Sequence, residues 1–297
     1  MKPCGTFGLG EWRLTTDDSL RLDGAALVRA TAHGSPRLRV LADRSALMDD
    51  FAQAMVAEIR AAQAEDRLCR LIIPVGPRGQ YPLFVAACRR ERLDLSRLHL
   101  FAMDEYLDWE GRALAPTHPL SFRGFLERNL LEPLPAECGF AAERLVLPDP
   151  LRLDDYHAGI EAVGGIDCCF GGVGVHGHVA FNEPFISRFT RVSVERFRAG
   201  RTRIVPLAPE TVVMNSIRGN GGHFADFPPM AVTCGMVDIL AARRIRLYLD
   251  GGPFQRTVLR RALFDPPGVD YPVTLLAGHA DYVLATDAET AAPLGEV

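Results

Sequence analysis

The residues best suited to chemistry lie in one loop, FGGVGVHGHVAFNEP, at positions 170–184. His176 and His178 stand two residues apart in it, and Glu183 follows inside an Asn-Glu-Pro turn. An imidazole can transfer protons near neutral pH, and a neighbouring carboxylate can orient the ring. The loop therefore indicates a proton-transfer pair.

Two other interpretations apply to these histidines. A His-x-His pair with a carboxylate could bind zinc, but a catalytic zinc ion needs a further ligand and supporting hydrogen bonds. His118 and His157 are available as further ligands. The histidines could also serve only to satisfy a glycine-rich turn. Proton transfer is the preferred interpretation, and no metal site is predicted.

A second loop, VGPRGQYP at positions 75–82, follows an apolar strand and opens a helix. Gly76 and Gly79 let backbone N–H groups point outward, and the helix N-terminus adds a partial positive charge. These features suit a phosphate. The loop does not match the P-loop pattern and has no lysine, so an ordinary strand–helix turn is the alternative.

A third loop, MDEY at positions 103–106, places Asp104 and Glu105 directly after a strand. A carboxylate at the mouth of a dry pocket can act as a base toward a C–H or O–H proton. Adjacent side chains point in different directions, so only one of the two should face a site. The alternative is a helix N-cap or a surface pair.

The amino-acid composition favours a globular protein that neither binds nucleic acid nor spans a membrane. Of 297 residues, 48% are hydrophobic, which is enough for a sizeable core. The net charge of −4 gives no basic surface for nucleic acid. The N-terminus lacks the apolar stretch of a signal peptide, and no segment is long and apolar enough to span a bilayer, so a cytoplasmic protein with no membrane partner is expected.

The numbers and positions of the lysine and cysteine residues argue against lysine-dependent mechanisms, disulfide bonds and cysteine-ligated zinc. The only lysine is Lys2, so a Schiff base or pyridoxal phosphate mechanism is excluded, and an anion must be held by arginine, backbone N–H groups or hydroxyls. The seven cysteines include no CxxC pair. They are interpreted as small core residues rather than disulfide or zinc ligands.

Short apolar runs alternate with helical patterns along the chain. The pattern predicts an α/β protein with a Rossmann-like, doubly wound, mostly parallel sheet and helices on both faces. Helices are predicted from Ser45, over QYPLFVAACRR, over Phe122–Leu131 and over Pro253–Leu263. Strands are predicted at RLRVLAD, CRLIIPV (69–75), RLHLFAM (97–103), IDCCF (166–170), RTRIVPL (201–207), IRLYLD (245–250), VTLLAG (273–278) and DYVLAT (281–286).

The predicted organisation is an N-terminal extension over residues 1–36 and a single α/β domain over residues 37–297. The arginine-rich segment 184–200 is predicted to be an irregular flap or lid. Ligands of such sheets bind beyond the carboxyl ends of the strands. The three loops are therefore expected to converge on one site.

The motifs together resemble a known family. MDEY, then the pattern HP-S-F--RN-L with His118, Pro119, Ser121 and Asn129, then FGGVG--GH-AFNEP, are similar to the glucosamine-6-phosphate deaminase family. That family belongs to one superfamily with the 6-phosphogluconolactonases. The resemblance covers roughly residues 40–285 and implies a Rossmann-like fold. It also implies ring opening of an amino-sugar phosphate, aldose–ketose isomerisation and release of ammonia, with no cofactor.

The resemblance also implies roles for individual residues. Asp104 matches the base that moves a proton between C2 and C1, and His178 matches the histidine that assists ring opening. Glu183 matches the carboxylate that orients that histidine. His176 stands where the family has aspartate or asparagine, in a position that helps to hold the site, and it is predicted as a catalytic residue with Asp104, His178 and Glu183.

The phosphate-binding pattern departs from the family. The family's loop is close to PTGGTP, and here PRGQYP keeps Gly79 but brings in Arg78, Gln80 and Tyr81. The family's later arginine falls nearest Ile217, beside Arg218, and its lysine falls nearest Gln255, beside Arg256. The predicted substrate-binding residues are Gly76, Arg78, Gly79, Gln80, Glu105, Gly172, Gly174, Gly177, Arg218 and Arg256.

The prediction is an isomerase and deaminase acting on glucosamine-6-phosphate or an isomer such as galactosamine-6-phosphate. Because the phosphate loop departs from the family's pattern, a related acidic sugar is also allowed as the substrate. The alternatives are a lactonase-like hydrolase, and a sugar-phosphate-binding protein without catalysis. Because family members are often oligomers, a homo-oligomer is expected.

Overall fold

The computed structural model describes residues 15–185, 187 and 189–295. The strands among them are β1 Arg37–Leu41, β2 Cys69–Ile73, β3 Leu98–Ala102, β4 Asp104–Leu107, β5 Leu145–Val146, β6 Cys168–Gly172, β7 Arg203–Pro206, β8 Met230–Thr233, β9 Arg244–Leu249 and β10 Tyr282–Asp287. The α-helices are α1 Thr16–Ser19, α2 Gly24–Ala30, α3 Arg44–Ala64, α4 Gln80–Glu91, α5 Phe122–Leu126, α6 Leu153–Ala162, α7 Val194–Arg198, α8 Pro209–Gly219, α9 Met236–Leu240, α10 Arg256–Phe264 and α11 Ala288–Ala291. A π-helical turn, Glu127–Leu131, extends α5, and short 3₁₀ helices cover Ala136–Cys138, Ala142–Arg144, Phe224–Asp226, Gly252–Gln255 and Pro272–Leu276.

Seven strands form one sheet in the order β1-β10-β9-β6-β2-β3-β5, and every neighbouring pair is parallel. All residues of β2 are buried, as expected for a strand covered on both faces. Leu71 and Ile73 pack with α3 and α4 in one apolar cluster, and Ile72 between them packs in a second cluster with α6, α9 and α10. The predicted α/β class, with a mostly parallel sheet covered on both faces, is confirmed.

A second, antiparallel sheet has the order β4-β8-β7. Only Met103 separates β3 from β4, so the chain leaves the large sheet and enters the small one at Asp104, which pairs with Thr233. The prediction that MDEY is a loop is therefore wrong from Asp104 onward. The strand predicted at 201–207 exists as β7, but it lies in the small sheet and its partner is antiparallel.

The predicted strand VTLLAG is a 3₁₀ helix, Pro272–Leu276. A short apolar run does not distinguish a strand from a buried helical turn. Here Pro272 cannot donate to a ladder, and the Val273 N–H donates to the Gly177 carbonyl at 2.7 Å instead. This turn therefore supports the histidine loop rather than extending the sheet.

The predicted N-terminal extension, residues 1–36, and the predicted flap, residues 184–200, both contain helices. Residues 1–14 of the predicted extension lie outside the described residues, but Leu27 in α2 is fully buried. The buried Arg260 guanidinium donates to the carbonyls of Ser19 and Leu22 and so ties this segment to α10. Within the predicted flap 184–200, α7 is helical, and residues 186 and 188 lie outside the described residues.

Among the residues that the structure describes, no helix is long and apolar enough to cross a membrane.

Glu105 anchors α5 to β4. Its buried carboxylate accepts hydrogen bonds from the N–H groups of Tyr106 at 2.9 Å, Phe122 at 2.8 Å and Arg123 at 2.8 Å, and from the Ser121 hydroxyl at 3.1 Å. These donors fill the carboxylate's acceptor positions. The prediction that Glu105 binds substrate is therefore corrected, and the residue has a structural role.

We expect Glu105→Ala to lower the free energy of unfolding by about 3 kcal/mol, because several buried donors lose their acceptor. Urea denaturation of the variant measures this change. The exposed Glu143→Ala is the matched control and should change stability by less than about 0.5 kcal/mol. Equal stability of the two variants would contradict the anchoring role.

Candidate active site

A cavity of about 640 Å³ lies beyond the carboxyl ends of β2, β3, β6 and β9. Residues 75–78, 103–104, 172–174 and 250–251 contribute to its lining from these four strand ends. This is the edge at which open α/β sheets bind ligands. The three loops expected to converge do meet here.

A second cavity, of about 520 Å³, lies near the start of β2 and of β3. Its arginines include Arg60 and Arg97, which are already paired with Glu91 and Asp66. Because these arginines already pair with carboxylates, they are less available to bind a ligand than the arginines in the cavity at the carboxyl ends of the strands.

Asp104 lines the first cavity and is buried. Among the described residues its carboxylate has no hydrogen-bond or ion-pair partner. Burial raises the pKa of the Asp104 carboxyl well above its usual value, and the neighbouring Glu105 charge adds to the rise. A carboxyl group of this kind can both accept and return a proton near neutral pH.

His178 lines the cavity, and Glu183 lies behind it. The His178 Nδ1 atom is 3.0 Å from Glu183 Oε2. A carboxylate at this distance accepts the Nδ1 proton, so the partner assigns the tautomer and leaves the lone pair of a neutral ring on Nε2. This arrangement can accept a proton from a ligand in the cavity.

Two glycines allow His178 to take this position. A Cβ atom at Gly174 would overlap the His178 ring, so only glycine fits beside it. Gly177 has a φ of +80°, a conformation that side chains rarely adopt, and a Cβ there would also collide with the Tyr271 ring. Gly174 lines the cavity, whereas Gly177 shapes the turn without lining it, which corrects its assignment to substrate binding.

His176 shares the carboxylate of Glu183. Its Nε2 atom is 3.2 Å from Glu183 Oε2 and 3.4 Å from Thr211 Oγ1, and within the part of the chain that the structure describes its buried Nδ1 atom has no hydrogen-bond partner. Burial lowers the pKa of His176, and the nearby His178 lowers it further. His176 is not among the residues that line the cavity and lies beside Glu183.

Three arginines also belong to the cavity wall. Arg44, Arg78 and Arg218 all line the cavity. The buried Asp250 carboxylate is 2.9 Å from an Arg44 nitrogen and 3.2 Å from an Arg218 nitrogen, and the Arg78 guanidinium lies 4.9 Å from the Phe125 ring centre. A cavity wall with more guanidinium than carboxylate charge suits an anionic group.

The other glycine and glutamine residues predicted to bind substrate differ in whether they line the cavity. Gly76 and Gly172 line the cavity, but Gly79 and Gln80 do not. Gly79 packs against Met48, and the Gln80 amide donates to the Pro77 carbonyl at 2.8 Å, so both brace the loop from behind.

Arg256 is directed away from the cavity. Its guanidinium donates to the carbonyls of Glu289 at 3.1 Å and Pro293 at 3.2 Å, and its assignment to substrate binding is corrected. Gln255 lines the cavity in its place and donates to the Val173 carbonyl at 2.5 Å.

Sequence reasoning missed Arg44 and Asp250. Asp250 directly follows β9, so its position at a strand's carboxyl end is a signal that could have identified it. Arg44 is 206 positions away in sequence from its partner Asp250, and nothing in the pattern around it points to the cavity.

Comparison with known proteins gives a consistent set of relatives. Glucosamine-6-phosphate deaminase of Porphyromonas gingivalis is 30% identical over 242 residues, which cover 77% of this chain and 82% of that protein. The protein of the same name from Rhodopirellula baltica is 32% identical over 224 residues, covering 73% of this chain and 80% of that protein. No protein-family model matches the sequence.

Solved structures share the fold. A structure described as a monomeric glucosamine-6-phosphate deaminase superposes with a TM-score of 0.73 at 21% identity, covering 86% of this chain and 98% of that chain. The 6-phosphogluconolactonase of Leishmania guyanensis superposes with a TM-score of 0.63 at 15% identity, covering 88% and 100%. At these identities the superpositions establish the fold.

The pairing of Glu183 with His178 predicts a pH dependence of stability. Burial raises the pKa of Glu183, but the hydrogen bond and charge of His178 outweigh it and hold the pKa below the ordinary value of 4.5. Ionised Glu183 therefore stabilises the fold above pH 4.5, and this contribution is lost as the pH falls through the folded-state pKa.

We expect Glu183→Gln to be less stable than the wild type at about pH 7 and the difference to shrink at about pH 3. Urea denaturation at both values measures it. The exposed Glu137→Gln, as control, should follow the wild type at each pH. A stability loss that is the same at both values would argue against the ion pair.

Proposed function

Because the chain belongs to the glucosamine-6-phosphate deaminase family, we propose that it converts an amino-sugar phosphate to a ketose phosphate and ammonia. Glucosamine-6-phosphate or an isomer of it is the proposed substrate. The observation that carries this proposal is the pair of unlike proton-transfer groups facing one cavity. Asp104 is a buried carboxyl group with no partner in the described part of the chain, and His178 is an imidazole oriented by Glu183.

Ring opening is the first proposed step. It moves a proton from the anomeric hydroxyl to the ring oxygen, and the C1–O bond to the ring oxygen breaks. In the neutral ring of His178, Glu183 accepts the Nδ1 proton and the lone pair lies on Nε2. The imidazole can therefore accept the hydroxyl proton and return it to the ring oxygen.

Isomerisation is the second step. Asp104 removes the proton from C2 of the open aldehyde as the C1 oxygen gains a proton, which gives an enediol-like enolamine. Asp104 then delivers a proton to C1 while the nitrogen gives up a proton, leaving an imine at C2. The raised pKa makes the carboxylate a stronger base than an exposed aspartate. The resulting imine at C2 reacts with water, which leaves the ketose and releases ammonia.

The arginines are proposed to hold the phosphate. Arg44, Arg78 and Arg218, with the carboxylate of Asp250, carry a formal net charge of about +2, which balances a phosphate monoester of about −2. Partial burial lowers the pKa of the Arg78 guanidinium, Tyr106 opposes this, and the charge of Arg218 lowers the pKa further. Two guanidinium groups that repel each other across a cavity favour an anion between them.

Asp104→Asn tests the base. We expect turnover to fall by about 10²- to 10⁴-fold, because the amide cannot take the C2 proton. Ammonia release by the purified variant measures it, and the exposed Asp49→Asn should retain wild-type turnover. Activity that persists in Asp104→Asn would contradict the assignment.

The same variant should remain folded. The folded-state pKa of Asp104 lies above its ordinary value of 3.8, so ionising this group costs stability as the pH rises through the folded-state pKa. Asparagine removes that cost. The thermal midpoint of Asp104→Asn near neutral pH should equal or exceed that of the wild type, so that a loss of turnover cannot be attributed to unfolding.

Arg218→Met tests the phosphate site. Methionine keeps the packing against Phe254 but removes a charged donor, so KM for the phosphorylated sugar should rise by about 10- to 100-fold while kcat changes little. Arg256→Met is the matched control, since that arginine faces away from the cavity, and its KM should match the wild type. An equal rise in both variants would contradict a specific phosphate contact.

A further inference from the structure

Four side-chain atoms converge behind the wall of the reaction cavity. They are His176 Nε2, His178 Nδ1, Glu183 Oε2 and Thr211 Oγ1. Two histidine nitrogens and a carboxylate oxygen are donor atoms that zinc prefers. The ligand atoms of His176, His178 and Glu183 all lie within 4.8 Å of one another.

The separations are short enough for one ion to replace the contacts that these atoms now make with one another. The two histidine–carboxylate contacts are 3.2 and 3.0 Å, and Thr211 Oγ1 is 3.4 Å from the His176 nitrogen and 3.5 Å from the His178 nitrogen. The last two contacts are long for hydrogen bonds. Four ligands at about 2.0–2.1 Å from a tetrahedral ion lie about 3.3–3.4 Å apart, which these four separations bracket.

We propose that His176, His178 and Glu183 bind a zinc ion, with the fourth position taken by the Thr211 hydroxyl or by water. His176 is the residue that makes the set complete, because it contributes the second imidazole. Of the three ligands His176 is the most accessible to solvent, with 21% of its side chain exposed. His118 and His157 take no part: His118 accepts a hydrogen bond from the Leu120 N–H, and His157 lies 2.5 Å from Asp238.

Zinc at this position changes what His178 offers to the cavity. The ion takes the Nδ1 lone pair, so the single proton of the neutral ring moves to Nε2. The Nε2 atom can then no longer accept a proton from a ligand. This consequence rests on the proposed function: zinc and ring opening compete for the two nitrogens of one imidazole, and zinc inhibits turnover.

Calorimetric titration of the metal-free full chain with zinc chloride alone tests the site without any substrate. The wild type should bind one ion per chain, and His176→Ala should bind at least about 10-fold more weakly, because one of three protein ligands is lost. His223→Ala is the matched control: it removes an exposed imidazole beside a carboxylate, His223 and Asp226 being 3.5 Å apart, and should bind as the wild type does. No binding by the wild type, or equal binding by His176→Ala, would overturn the proposal.

Anomalous diffraction at the zinc edge gives a second result that does not depend on any variant folding. Wild-type crystals soaked in zinc should show a peak about 2.0–2.3 Å from His176 Nε2, His178 Nδ1 and Glu183 Oε2. A peak elsewhere only, or none, would overturn the site.

The effect of zinc on turnover is measured in a separate assay of ammonia release. Ammonia release by the wild type and by His223→Ala should fall as zinc saturates the site and recover when a chelator removes it. Undiminished release from the saturated protein would overturn the proposed inhibition. If the metal-free protein releases no ammonia, the proposed function fails, and the titration still decides whether the metal site exists.

Discussion

Asp104 lies where the chain turns out of one sheet and into another, and the site depends on that turn. The backbone is satisfied on both sides of it: the Met103 N–H donates to the Ile73 carbonyl at 3.0 Å, and the Met103 carbonyl accepts from the Cys234 N–H at 2.7 Å. The side chain of Asp104 is left facing the cavity with no partner among the described residues. Burying a carboxyl group in this way costs stability, and hydrogen bonding in the two sheets offsets the cost.

The site holds two carboxyl groups in opposite environments. Burial keeps the pKa of Asp104 high, whereas His178 and its neighbours overcome the burial of Glu183 and keep that pKa low. Asp104 can therefore gain and lose a proton, whereas Glu183 stays ionised and orients the His178 ring. Groups whose environments move their pKa values apart can take different roles in one reaction. The same ionised Glu183, held between two imidazoles, is what makes a cation site possible behind the cavity.

The parallel arrangement of the strands could be predicted from the sequence, because buried apolar runs alternate with helical patterns. The carboxyl ends of parallel strands must share one edge of the sheet. That was enough to bring Asp104 and His178 to one cavity. Arg256 does not line the cavity, whereas its neighbour Gln255, the last residue of the preceding 3₁₀ helix, does. Successive side chains along a helical turn point in different directions, so a shift of one residue decides which of them faces the cavity. The Arg44–Asp250 contact could not be predicted, since it joins residues 206 positions apart and leaves no local pattern.

The proposed reaction requires the protein to break the C–H bond at C2 of an amino-sugar phosphate. Glucosamine-6-phosphate carrying deuterium at C2 tests this directly, with NMR used to locate the label in the sugar. We expect the label to leave C2, reaching C1 of the ketose product or the solvent, in step with the release of ammonia. A sugar phosphate that binds and protects the protein against unfolding, yet retains all its deuterium at C2, would contradict it.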